Sequence, residues 1–185
     1  MILIAIGANL PDRHGRPPLA CCEAAAAALG SLPRLRVSGV SAWYRSAPLP
    51  PSGQPDYVNG VVRLHGVAEA AALLARLHAL EAAAGRVRGE RNAARPLDLD
   101  LIDINGLLRD APDPVLPHPR AHERGFVLLP LADVAPDWVH PRLGVGVAAL
   151  LAALPRQDVE RISPPAAPRS APGSNSLLSG SPFLY

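Results

Sequence analysis

Two aspartates spaced by one residue, Asp98 and Asp100, follow four arginines, Arg86, Arg88, Arg91 and Arg95, in the segment GRVRGERNAARPLDLD. Successive side chains of a strand point to opposite faces, so Leu97, Leu99 and Leu101 can enter a core while Asp98 and Asp100 project together from the other side. Two carboxylates on one face suit Mg²⁺, which takes a few carboxylate oxygens and fills its remaining positions with water and substrate phosphates. Guanidinium forks bind phosphate oxygens bidentately and stay charged at any neutral pH. The pattern therefore predicts a place where a polyphosphate meets metal. Alone, an Asp-x-Asp pair beside a basic loop is more often a solvated strand face, and the reading needs further motifs to stand.

The elements that must position these groups follow from periodicity. Ile2 to Ile6 is an apolar run suited to a central strand, ended by Gly7, Asn9 and Pro11. Pro18 to Leu29 has helical spacing with proline in the first turn and Gly30 as its stop. Arg36 to Arg45 reads as one long, bulged strand before an exposed loop at Pro48, Pro50 and Pro51. Tyr57 to Leu64 sorts with period two: Val58, Val62 and Leu64 on one face, Tyr57, Asn59 and Arg63 on the other. Glu69 to Ala84 is predicted helical, with Leu73, Leu77, Leu80 and Ala84 as its apolar stripe and Gly85 closing it. The order strand, helix, strand, strand, helix, strand predicts an α+β fold of ferredoxin-like (βαββαβ) type, an antiparallel sheet with helices on one face. Beyond it, Val115 to Arg124 reads as a loop, Ala132 to Ala135 as a helical turn and Gly146 to Leu154 as a short helix.

With 185 residues and a formal net charge of +2, the chain suits one domain, 1–163, and carries no electrostatic arm for nucleic acid or membrane. All 18 basic side chains are arginine, which excludes a Walker-type phosphate-binding lysine. Adjacent Cys21 and Cys22 are poorly placed to bond to each other and fit a reducing compartment. The apolar start lacks a basic leader and is short for a membrane span, so a soluble cytoplasmic monomer is expected. Residues 164–185, rich in Pro, Ser and Gly, are expected to be a disordered tail.

Four ordered motifs raise the specificity: QPDYVN at Gln54 to Asn59, the arginine loop, LDLD, and LPHPRAHERGF at Leu116 to Phe126. Together they resemble the 6-hydroxymethyl-7,8-dihydropterin pyrophosphokinases of folate biosynthesis, and the similarity runs from IAIGANL to LPLADVAPD, ending at Asp137. The resemblance implies an α/β sandwich around an antiparallel sheet, with ATP and a dihydropterin as partners. It implies transfer of the β,γ-pyrophosphoryl group of ATP to the hydroxymethyl oxygen, releasing AMP. It further implies two Mg²⁺ ions on Asp98 and Asp100, catalytic Arg86 and Arg95 closing over the phosphates, and ATP contacts from Glu81, Arg88, His118 and Arg124. Tyr57 and Phe126 would sandwich the pterin, Asn59 would bond its edge, and Ser46 and Leu49 would complete the pocket. The chain departs from the family at Asn92 to Pro96, where a tryptophan and Gly-Pro-Arg-Thr are usual, and at His78, Asp113 and Val115 on the nucleotide side. A nucleotidyltransferase, which attacks the α-phosphorus and releases pyrophosphate, is the rival enzyme reading; a ferredoxin-like binding module is the non-enzymatic one.

Overall fold

The computed structural model describes residues 1–87 and 94–162. Arg88, Arg91 and Asn92 of the arginine loop, and the tail expected over 164–185, lie outside the described residues. In chain order the strands are β1 (Ile2–Ala8), β2 (Leu35–Val40), β3 (Tyr44–Ser46), β4 (Tyr57–Gly66), β5 (Asp98–Ile104) and β6 (Val159–Arg161). The helices are α1 (Pro18–Leu29), α2 (Ala70–Ala83), α3 (Gly125–Val134) and α4 (Val147–Ala153), with a 3₁₀ turn, η1, at Ala121–Glu123. The sheet runs β5-β1-β4-β3-β6, with β2 also on β4, and every pairing is antiparallel. This is a mixed α and β architecture on one antiparallel sheet. No helix among the described residues is long and apolar enough to cross a membrane.

The apolar run of β1 serves two cores. Ile2, Ile4 and Ile6 pack with α1 and α2, through Cys22, Leu29, Leu73 and Leu77. Leu3 and Ala5 pack with α3 and α4, through Leu128, Leu131, Val134 and Val147. Both faces of the sheet are therefore covered, which corrects the expectation of helices on one face. A strand buried on both sides loses its polar alternation, as β1 does. Full burial of each such side chain contributes about 1.5–3 kcal/mol, so the second layer is a major stabilising part of the fold.

Other differences have local causes. The single strand expected from Arg36 to Arg45 is split into β2 and β3. A bulge at Ser38 shifts the register on β4 between Val37 and Gly39, and the chain leaves the ladder where Asp133 Oδ2 takes the Ala42 N–H at 3.0 Å. Trp43 then lies across Gly60; a Cβ there would stand 2.5 Å from the indole, so only glycine admits this crossing. The helical turn expected at Ala132 is the end of a longer helix beginning at Gly125. Pro130 inside it removes one backbone donor, yet burial of Val127, Leu128, Leu131 and Val134 outweighs the lost bond. Helix α2 opens on Glu69, whose carboxylate accepts the N–H groups of Ala71 and Ala72 at 2.9 and 2.7 Å. Strand β6, unforeseen in sequence, is fastened to β3 and α3: Arg161 Nε donates to Tyr44 Oη at 3.2 Å, and Tyr44 Oη donates to Asp133 at 2.9 Å.

Candidate functional site

Register across the three middle strands builds the floor of the site. Gly7 on β1 pairs with Asn59 on β4 and with Asp98 on β5, while Ala5 pairs with Val61 and Asp100. Leu99 and Leu101 turn into the core shared with α1 and α2. Tyr57, Asn59, Asp98 and Asp100 consequently stand on the opposite face, with Gly7 between Asn59 and Asp98. A Cβ at Gly7 would meet Asn59 Oδ1, Asp98 Cβ and Tyr57 Cδ1 at 3.5, 3.9 and 4.0 Å, so the absent side chain keeps this floor open. Above it lies a cavity of about 1080 Å³. Ser46, Leu49, Tyr57, Asn59, Glu81, Arg86, Arg95, Asp98, Asp100, His118, Arg124 and Phe126, twelve of the thirteen residues expected from sequence, line it. Arg88, the thirteenth, is outside the described residues.

The charges are arranged as a graded network. Asp98 receives Arg86 on Oδ1 and Arg95, at 3.0 Å, on Oδ2. Arg86 also reaches Glu81 Oε1, which accepts the Leu99 N–H at 2.8 Å. Glu81 is 2% exposed, at the end of the inward face that Leu73 and Leu77 begin on α2. The expected apolar stripe is thus rotated: a carboxylate faces in where Leu80 was placed, and Leu80 is only partly buried. Asp100 has His118 Nε2 and Arg124 Nη1 each at 3.8 Å. Burial, then the like charge of Asp98, raises the Asp100 carboxyl above the ordinary aspartate value against the pull of those two cations. Burial likewise lowers His118 below the usual imidazole value, despite Asp100. Arg124 lies over the Phe126 ring, 5.6 Å from its centroid.

The donor set fits magnesium. Two hard carboxylates share one face, and their mutual repulsion is the kind of cost a dication relieves. Among the described residues no cluster of three metal-ligating side chains occurs.

Sequence reasoning passed over three positioning groups. Asn9, 2% exposed, accepts the Arg95 N–H on Oδ1 at 2.8 Å and donates from Nδ2 to Gln54 Oε1 and Pro55 O, each at 3.2 Å. It ties the loop before Tyr57 to the segment carrying Arg95. Gln157 brackets Arg124, donating to Glu123 O at 3.0 Å and accepting the Gly125 N–H at 2.8 Å. Asp103 follows a bulge at Ile102 that turns it into the second core, where it accepts the Trp138 indole N–H at 2.9 Å. On the acceptor side, Asn59 Nδ2 donates to Ser46 Oγ at 3.0 Å, and Tyr57 Oη donates to Gln54 Oε1 at 3.3 Å.

A family model described as 7,8-dihydro-6-hydroxymethylpterin-pyrophosphokinase (HPPK) matches residues 3–136. The chain is 40% identical over 161 residues to a 2-amino-4-hydroxy-6-hydroxymethyldihydropteridine pyrophosphokinase of Pseudomonas aeruginosa, covering 87% of this chain and 96% of the relative. A Synechocystis protein of the same name is 38% identical over 149 residues, covering 80% and 73%. The folic acid synthesis protein FOL1 of Dictyostelium discoideum is 31% identical over 170 residues, and there the match covers 89% of this chain but 24% of the relative. Among solved structures, a Plasmodium falciparum HPPK-DHPS triple mutant with pteroate superposes with a TM-score of 0.60 at 11% identity. That match covers 82% of this chain and 42% of the longer one, and it bears on fold alone. The chain belongs to the 7,8-dihydro-6-hydroxymethylpterin-pyrophosphokinase family.

Proposed function

We propose that the cavity joins the triphosphate of ATP to a dihydropterin across the Gly7 floor. The chain is a pyrophosphokinase of folate synthesis: it transfers pyrophosphate to 6-hydroxymethyl-7,8-dihydropterin, giving the pterin diphosphate and AMP. One observation carries the division of labour. Asp98 and Asp100 share a face with Tyr57 and Asn59, and Gly7 stands between Asp98 and Asn59. The acidic and basic side takes the phosphates; the side of Ser46, Leu49, Tyr57, Asn59 and Phe126 takes the flat heterocycle.

Asp98 and Asp100 would hold Mg²⁺, two ions in our reading, which when bound supplies charge neutralisation along the triphosphate and polarises the β-phosphorus. Arg86 and Arg95, which neutralise Asp98 in this structure, would grip phosphate oxygens where charge grows when Asp98 holds the metal instead. Glu81 acts through Arg86, because its buried Oε1 is committed to the Leu99 N–H and that guanidinium. His118 and Arg124 approach the triphosphate from the far side of Asp100. Tyr57 and Phe126 stack on the pterin, and Asn59, oriented by Ser46, bonds its edge. The acceptor is an unactivated alcohol, and Asp100 is the group we assign to take its proton. We read the strand order and its antiparallel pairings as ferredoxin-like, a reading supported by α1 and α2 lying together on one face.

Incubation of the protein with ATP, Mg²⁺ and 6-hydroxymethyl-7,8-dihydropterin, with chromatography of the nucleotide product and a control lacking pterin, tests the reading. Pterin-dependent AMP without free pyrophosphate is expected. ADP would mean γ-phosphoryl transfer, free pyrophosphate would mean nucleotidyl transfer, and either overturns the proposal.

A further inference from the structure

Helix α3 brings Phe126 to the acceptor side of the cavity and strand β3 brings Ser46, and residues 157–162 touch both elements. At the start of this segment Gln157 Nε2 donates to Glu123 O at 3.0 Å, and Gln157 Oε1 accepts the Gly125 N–H at 2.8 Å. The two bonds flank Arg124 and end one residue before Phe126. A Cβ at Gly125 would stand 3.1 Å from that Oε1, so glycine leaves room for the side chain to dock on the backbone. A carboxamide offers a donor and an acceptor side by side, which a carboxylate of the same shape does not.

The far end of the segment is fastened as firmly. Arg161 Nε donates to Tyr44 Oη at 3.2 Å, its Cζ lies 5.6 Å from the centroid of the Tyr44 ring, and its guanidinium pairs with Asp133 on α3. The Ile162 N–H then bonds Trp43 O at 2.9 Å. Between the two ends, β6 pairs with β3 and sets Val159 opposite Ser46, whose Oγ accepts the Asn59 amide. β3 has only three residues, and without β6 it would be an edge strand held from β4. Four extended chain steps reach about 13 Å, and the eight helical steps from Gly125 to Asp133 rise about 12 Å. An extended segment alongside α3 therefore holds both ends of that helix.

We infer that residues 157–161 are a strap that fixes the spacing of the acceptor slot: it clamps α3, with Phe126, to β3, with Ser46, and Gln157 is the positioning residue at its substrate end. The inference rests on the proposed function, since that reading makes Phe126 and Ser46 parts of one pterin slot. Loosening either end of the strap frees the same pair of elements.

Gln157→Glu keeps the length of the side chain and the acceptor for Gly125 but sets a carboxylate against the Glu123 carbonyl. The KM for pterin, measured at saturating ATP, should rise about fivefold, the equivalent of one ordinary hydrogen bond, with kcat unchanged. A merely structural loss would lower the active fraction, and with it kcat, and leave KM alone. Arg161→Met releases the far end without touching Gln157 and should raise the same KM. In the double variant the rise should not exceed the larger single one, because one element is already loose. Backbone hydrogen exchange gives an answer independent of turnover: in Arg161→Met the Gly125 amide should exchange about tenfold faster than in wild type. An unchanged KM for pterin in Gln157→Glu, single effects that multiply in the double variant, or wild-type exchange at Gly125 in Arg161→Met overturns the inference. Absence of wild-type AMP formation would count against the proposed function, while exchange at Gly125 still decides the strap.

Discussion

Replacing Asp100 by Asn should make the metal-free protein more stable and nearly inactive. The Asp100 carboxyl titrates above the ordinary aspartate value because of burial, then Asp98. Between the unfolded value and that raised value, the folded chain holds a proton that the unfolded chain has lost, so stability falls as pH rises through this window. Above it the cost is complete, and at neutral pH the ionised Asp100 is a net burden on the fold. Asn is nearly isosteric and removes the charge. The carboxylate opens on the cavity and is 37% exposed, so solvent screening holds the gain to about 1 kcal/mol. For a chain of this size that is about 2–4 °C in melting temperature. Thermal unfolding of both proteins in excess chelator should show the variant higher at pH 7, with the difference closing as pH falls towards about 4, where unfolded aspartates protonate. Turnover should fall by at least about 100-fold, the scale of losing a group that organises transition-state charge. A lower melting temperature for the variant at pH 7, or a gap that widens in acid, would refute the reasoning.

Gly7→Val should spare the fold and obstruct the floor: the Cβ site is open to 3.5 Å, but the γ-methyls enter the space between Tyr57 and Asp98. An increase in the KM for pterin of about tenfold or more, with a wild-type circular dichroism spectrum, is expected, the scale of a disturbed hydrophobic contact. Glu81→Ala orphans the buried Leu99 N–H and leaves Arg86 with one carboxylate fewer, so urea denaturation should show a loss of about 2–4 kcal/mol. Gln157→Ala removes both hydrogen bonds that bracket Arg124 and should raise the KM for ATP several-fold while costing about 1–2 kcal/mol in the same titration. Asp98→Ala should abolish AMP formation; near wild-type activity there would remove that residue from the metal site.

What could be read in advance depended on whether a pattern had a fixed geometric period. Tyr57 with Asn59, and Asp98 with Asp100, are pairs at spacing two, and a strand places such pairs on one face whatever else the chain does. Those four residues were therefore legible before any fold was known. The antiparallel sheet followed from the same periods, because each element was short and bounded by its own turn residues. Glu81 was legible only as a residue near the site. An apolar stripe on a helix is a wide sector, and neither Leu80 nor Glu81 announces which of them the tertiary contacts will turn inward; the Leu99 N–H, eighteen positions after Glu81, settles it in favour of the carboxylate. Asn9 and Gln157 were illegible for a different reason. Each acts by bonding backbone groups of a segment remote in sequence, Arg95 for one and the Glu123 to Gly125 turn for the other, and a backbone partner leaves no mark on the residue that supplies it. The second helical layer was hidden by the same absence of alternation that betrays it: a strand apolar on both faces shows burial but not what buries it. In this chain Tyr57, Asn59, Asp98 and Asp100 project on regular strands and could be found by counting, while the groups that hold the site still are specified only by the folded backbone.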